Sequence, residues 1–92
     1  MTIKLKKEDI PEITPTFRFQ WEEIQNCYVV LYPEGMVKLS QSAGEIMKQI
    51  DGKKSIIDMI SDISAAFDGA DVENDVFKFL EEAYGNGWIR TK

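Results

Sequence analysis

Few side chains in this 92-residue chain are of the types that carry out covalent chemistry. Histidine is absent, which removes the commonest general base and with it the usual Ser-His and Cys-His nucleophile arrangements. The single cysteine, Cys27, can form neither an internal disulfide nor a multi-thiolate metal site, so most zinc, haem and iron–sulfur options fall away. Its apolar neighbours in a strand pattern make it a small core residue rather than a reactive thiol. Glu22 and Glu23 fall in a turn, where solvation is their ordinary role, and no pair of acids is placed for acid–base work. Neither catalysis nor a cofactor is expected. What remains with chemistry to offer is main chain: the N–H and C=O groups of an unpaired strand edge, which can hydrogen-bond to another strand.

That edge is read from "LYPEGMVKLSQSAGEI", residues 31–46, and from what surrounds it. Phe17, Phe19 and Trp21 alternate with Arg18 and Gln20, the period of a half-buried strand, and residues 22–26 make a turn. The run "CYVVLY", residues 27–32, is apolar on both faces and should be the central strand, covered on both sides. Pro33 presets φ for the second position of a turn. Gly35 suits the left-handed conformation that closes a three-to-five-residue hairpin loop. The strand Met36 to Leu39 then returns antiparallel, with Val37 and Leu39 on one face and Met36 and Lys38 on the other. In a three-stranded meander it lies at an edge.

Three helices follow. Ser40 or Ser42 caps the first, Ser42 and Glu45 having capping-box spacing, and Ala43, Ile46, Met47 and Ile50 form its apolar stripe before Asp51-Gly52. Ser55, with Asp58, caps the second, whose stripe is Ile56, Met59, Ile60, Ile63 and Phe67, ended by Asp68-Gly69. Asp71 caps the third, with a stripe of Val72, Val76, Phe79, Leu80 and Ala83. Gly85-Asn86-Gly87 stops it, and Trp88-Ile89 is a candidate tail strand. Residues 1–16 contain Pro11 and Pro15, hold no persistent pattern and read as a flexible arm; residues 17–92 read as a single domain. The fold class is α+β and winged-helix-like, a three-stranded antiparallel sheet followed by three helices.

Composition narrows the partners. No apolar run approaches the roughly 18 residues of a membrane span, and the first ten residues lack the apolar segment of a secretory signal, so the expectation is a cytoplasmic protein without a membrane partner. A net charge of −5 opposes a hold on nucleic acid. The third helix of a winged helix would read DNA, yet Glu73, Asp75, Glu81 and Glu82 oppose a single Lys78 there. A DNA-binding regulator therefore stays as an alternative on topology alone.

The third helix is apolar over more surface than one core requires. Phe77 and Tyr84 sit on a shoulder roughly 100° from the centre of its stripe, at ~100° per residue, and should be at least partly exposed as a groove wall. Beside an open strand edge such a wall suits β-augmentation, in which a peptide adds a strand to the sheet. About four main-chain bonds at ~0.5–1.5 kcal/mol each give ~2–6 kcal/mol, against about 8 for micromolar binding. Side-chain pockets must supply the rest. Replacing Val37 with proline would weaken such binding if its N–H faces the incoming strand; in the opposite register a neighbouring position serves. A dimer formed by strand exchange at the same edge is a structural alternative.

The segments "FQWEE" (19–23), "LYPEGMVKLSQSA" (31–43), "IDG" (50–52), "FDGADVENDVFKFLEEA" (67–83) and "GW" (87–88) resemble the PqqD family. These are peptide chaperones, or RiPP recognition elements, of pyrroloquinoline quinone biosynthesis. The resemblance runs from about Phe17 to Ile89 and is most specific at "LYPEG" followed by "SA". It implies a non-catalytic, winged-helix-like domain that binds the precursor peptide PqqA as an added strand between the third strand and third helix. It also implies presentation of that peptide to the radical SAM enzyme PqqE. Carried over, the peptide-binding residues are Met36, Val37, Lys38 and Leu39 on the strand and Val76, Phe77, Leu80 and Tyr84 on the helix. The quinone is the pathway's product and is not expected to bind here.

Overall fold

The computed structural model describes residues 5–92; the first four residues of the expected arm lie outside that range. In chain order the elements are β1 (Pro11–Ile13), β2 (Arg18–Glu22), β3 (Cys27–Tyr32), β4 (Gly35–Lys38), α1 (Gln41–Lys48), α2 (Ile56–Ala66), α3 (Glu73–Gly85) and β5 (Ile89–Thr91). The architecture is α+β and winged-helix-like: a three-stranded antiparallel sheet, order β2-β3-β4, followed by three helices, with a second small sheet made by β1 and β5.

On β3, neighbours Val29 and Val30 point to opposite faces and both are fully buried, as the two-sided apolar pattern requires. Val30 joins the main core with Leu39, the α1 residues Ile46 and Met47, and Val76, Leu80 and Ala83 of α3. On the other face Val29 is flanked in register by Gln20 and Lys38.

The hairpin before β4 is tighter than its sequence suggests. Tyr32 pairs with Gly35, leaving a loop of only Pro33 and Glu34. Gly35 is not in the left-handed region. A Cβ there would lie 3.1 Å from the Tyr32 Oη and 3.3 Å from its Cζ, so any larger residue would require that ring to shift by a few tenths of an ångström. β4 accordingly begins one residue earlier than expected and ends at Lys38, although the Leu39 N–H still donates to the Tyr28 carbonyl at 2.9 Å.

The cap of α1 is Ser40, whose extended backbone (φ −66°, ψ 166°) lets its Oγ accept the Ala43 N–H. Ser42 already lies inside the helix, so the Ser42–Glu45 capping box does not form. A glycine inside a helix costs roughly 1 kcal/mol relative to alanine, and Gly44 has a steric reason for being there. A Cβ at this position would fall 2.8 Å from the Tyr28 Cδ2, so Gly44 is what lets α1 seat against β3. Ser55 caps α2 as read, accepting the Asp58 N–H. Phe67, expected on the α2 stripe, is 47% exposed. It is the C-cap residue (φ −110°, ψ 38°), where the chain leaves the helix for left-handed Asp68 and Gly69. The N-cap of α3 is Val72 rather than Asp71, though the Asp71 Oδ1 still accepts the Glu73 N–H at 3.4 Å.

The largest departure is N-terminal. Pro11–Ile13 forms a strand antiparallel to Ile89–Thr91, with Glu12 opposite Arg90 and joined to it by an ion pair. The tail strand therefore completes this second sheet and not the meander. Just before β1, the carbonyls of Lys7 and Asp9 accept the Ile57 and Ile56 N–H groups at 3.0 and 2.9 Å, satisfying donors that the first turn of α2 leaves free. Pro11 itself is fully buried.

Candidate functional site

Among the described residues β4 is bonded to β3 on one side only, and its other edge is unpaired. The ladder decides which groups face outward. Leu39 turns its N–H toward β3, and because main-chain direction alternates along a strand, Val37 does the same. Met36 and Lys38 therefore direct their N–H and C=O groups out of the sheet, a set of two donors and two acceptors. Side chains alternate on the other axis: Val37 and Leu39 face the helices, while Met36 and Lys38 lie on the opposite face.

The eight residues assigned from sequence separate by burial. Leu39, Val76 and Leu80 belong to the core, with Val76 and Leu80 almost wholly buried. Val37, Phe77 and Tyr84 are half-buried and pack against that core. Met36 is 40% exposed, and Lys38 is exposed. Phe77 and Tyr84 stand two turns apart on α3, which places them along one side of the helix. Of the eight, Met36, Val37, Lys38, Phe77 and Tyr84 thus keep side-chain surface exposed, whereas Leu39, Val76 and Leu80 do not.

The structure adds residues that sequence reading did not assign. Val37 opens on a cavity of about 290 Å³ that it lines with Phe17, Tyr32, Asn86 and Trp88. Phe17 and Tyr32 hold each other in a tilted pair, ring centroids 6.1 Å apart. Strand parity was the available signal, since Tyr32, Val30 and Val37 share one face once the register is known. Asn86 follows the end of α3, so the cavity joins the middle of β4 to the C-terminal end of that helix.

Electrostatically the helix side is acidic. Glu73 pairs with Lys7 at 3.1 Å on the surface. Among the described residues two titrating groups are shifted, both at the α1–α2 joint. The Asp51 carboxylate is held below its ordinary range by the N–H groups of Lys54 and Lys53, each donating at 2.8 Å. Lys54 is raised by its bond to Asp62, an ion pair of 2.8 Å. Among the described residues no cluster of three potential metal ligands occurs, and no helix is long and apolar enough to cross a membrane.

Comparison with known proteins follows the same lines. Residues 27–89 match the family model described as Coenzyme PQQ synthesis protein D (PqqD). A protein of Azotobacter vinelandii named PqqA binding protein is 50% identical over 82 residues, spanning 88% of this chain and 89% of that one. One of the same name from Acinetobacter baylyi is 44% identical over 90 residues, spanning 92% and 91%. Among solved structures, the solution NMR structure of the PqqD truncation of Methylobacterium extorquens PqqCD, described as a stand-alone RiPP recognition element, matches with a TM-score of 0.79. It covers 95% of both chains at 20% identity, which speaks for the fold.

Proposed function

The chain belongs to the PqqD family, and on that premise we propose that it is a peptide chaperone of pyrroloquinoline quinone biosynthesis. It binds the precursor peptide PqqA as a strand added to the open edge of β4, does no chemistry itself, and presents the peptide to the radical SAM enzyme PqqE. The observation that carries this reading is the outward-facing main chain of Met36 and Lys38 on a strand whose Val37 lines an apolar-walled cavity with Phe17, Tyr32 and Trp88. The names of the similar proteins support the peptide; the enzyme partner rests on the family resemblance.

The edge offers four main-chain bonds, worth ~2–6 kcal/mol together at ~0.5–1.5 kcal/mol each. Micromolar affinity requires about 8 kcal/mol. Burial of one or two apolar peptide side chains at ~1.5–3 kcal/mol each closes that gap. The alternation of the added strand directs every second side chain to the helix side, toward Val37, Phe77 and Tyr84. Leu39, Val76 and Leu80 keep that wall in place from below.

Titration of the isotope-labelled chain with a PqqA peptide tests the reading. Amide shifts should concentrate on Met36 to Leu39 and on α3 near Phe77 and Tyr84. Shifts confined to β2, the other edge of the same sheet, would overturn the site assignment, and no shifts at all would overturn the function.

A further inference from the structure

The sheet has a second unpaired edge. In the order β2-β3-β4, β2 is bonded to β3 on one side, and among the described residues no strand pairs with its other side. The ladder fixes which groups face outward there. The Leu39 N–H donates to the Tyr28 carbonyl, so Tyr28, Val30 and Tyr32 turn their main-chain groups toward β4, while Cys27, Val29 and Leu31 turn theirs toward β2. Their partners on β2 are Glu22, Gln20 and Arg18. Phe19 and Trp21 are left with N–H and C=O groups directed out of the sheet, a set of two donors and two acceptors.

Side chains alternate on the other axis. Phe19 and Trp21 lie on the helix face, where both rings meet Tyr28, at centroid distances of 4.8 and 5.0 Å. Trp21 is nonetheless 46% exposed. Arg18, Gln20 and Glu22 lie on the opposite face. Among the described residues Arg18 is exposed and makes no ion pair, and Glu22 accepts the Gln20 side-chain amide at 3.3 Å. Charge on an edge strand ordinarily discourages pairing. Here one charge of each sign stands two residues either side of Gln20, so the strand is complementary to itself.

We propose that β2 pairs with β2 of a second copy of this chain, antiparallel about a two-fold axis that passes between the two Gln20 residues. In that register Phe19 exchanges both main-chain bonds with Trp21 of the second copy, and Trp21 with its Phe19, which uses the outward groups of both strands. Arg18 stands opposite Glu22 of the second copy, twice by symmetry, at the non-hydrogen-bonded positions where facing side chains lie closest. Sliding the strands by two residues sets Gln20 opposite Arg18 or Glu22 and loses both ion pairs; sliding them further sets like charges together. The charge pattern therefore selects one register. β3 and its counterpart would lie three strand spacings apart, about 14 Å. That leaves room for α1, which seats against β3 through Gly44 and Tyr28, beside its own copy at the ~8–10 Å of packed helices. The product is a continuous sheet with β4 of each copy at an outer end, so both peptide edges stay open and the pairing is independent of the peptide reading.

Main-chain bonds and exposed ion pairs make a weak interface, and the net charge of −5 on each copy works against it, so the association belongs to high protein concentration. Sedimentation equilibrium of the full chain from micromolar to millimolar concentration should show monomer and dimer in exchange. Arg18→Glu and Glu22→Arg should each weaken the dimer by about three- to thirtyfold, because each sets like charges opposite one another. An equimolar mixture of the two variants should associate again, since each new charge then faces its opposite on the other chain. The doubly substituted chain keeps the net charge and should associate like wild type. Amide exchange supplies a second reading: Phe19 and Trp21 should gain protection as concentration rises, while Arg18, Gln20 and Glu22 are protected by β3 throughout. A chain that stays monomeric at millimolar concentration overturns the proposal, as does a dimer that ignores both single substitutions or leaves the Phe19 and Trp21 amides unprotected. Protection of those two amides by a PqqA peptide in a monomeric chain would assign this edge to the peptide instead.

Discussion

Proline substitution along β4 separates the open edge from the closed one at single-residue resolution. Lys38 turns its N–H outward, whereas that of Val37 belongs to the ladder with β3. Proline is tolerated on an edge strand where the missing N–H would have faced solvent. Lys38→Pro should therefore melt within a few degrees of wild type. It deletes one donor to the incoming peptide and leaves a peptide carbonyl unpaired in the new ladder, at a cost of ~1–3 kcal/mol. That corresponds to a loss of about 5- to 150-fold in affinity. Lys38→Ala keeps the N–H and serves as the control for losing the ammonium group. Val37→Pro breaks an internal bond instead, and a penalty of ~1–3 kcal/mol lowers the melting temperature by roughly 4–8 °C per kcal/mol in a domain of this size. The assays are calorimetric titration with a PqqA peptide and thermal denaturation of each variant. Undiminished peptide binding by Lys38→Pro, in a folded protein, would refute the assignment of that N–H to the partner strand.

Other consequences concern the elements that hold the edge in place. Gly44→Ala should destabilise the chain by ~1–3 kcal/mol in urea denaturation, because the new Cβ meets Tyr28 and the clash exceeds the helix-propensity gain; a more stable variant would contradict that contact. Ser40→Ala should cost ~0.5–2 kcal/mol, and Ser42→Ala no more than about 0.5 kcal/mol, by the same measurement. Asp51 has its folded-state pKa below the unfolded one, so its contribution is present at neutral pH and is lost as pH falls through the folded pKa. A carboxyl titration by NMR should place its midpoint below the ordinary aspartate range, and Asp51→Asn should flatten the acid limb of the stability profile.

Much of this architecture is legible in the sequence because its elements are periodic. The two-sided run from Cys27 to Tyr32 marks the central strand, and Val29 and Val30 are buried on opposite faces as that pattern demands. The stripes of all three helices place Ile46, Met47, Ile56, Met59, Ile63, Val76, Leu80 and Ala83 in the core. What escapes is short or distant. Pro11–Ile13 is too brief to show a period, begins with a proline, and gains its partner only where Glu12 meets Arg90, 78 residues along the chain.

The site divides in the same way. Periodicity tells which face a side chain takes, so Val37 and Leu39 could be separated from Met36 and Lys38. It says nothing of main-chain direction, and the outward N–H groups follow only from the register with β3. Val76 and Leu80 lie on the core stripe of α3 and are buried, whereas Phe77 and Tyr84 keep part of their surface exposed. The Val37 cavity draws on Phe17, Tyr32 and Asn86 from three separated parts of the chain, a conjunction that only the folded register produces.

Amide hydrogen exchange along β4, with and without a PqqA peptide, tests the central claim most directly. In the free chain Met36 and Lys38 should exchange rapidly while Val37 and Leu39 are protected by β3. On addition of the peptide Met36 and Lys38 should gain protection, with little change at their two neighbours. Met36 and Lys38 remaining unprotected at saturating peptide would contradict strand addition at this edge.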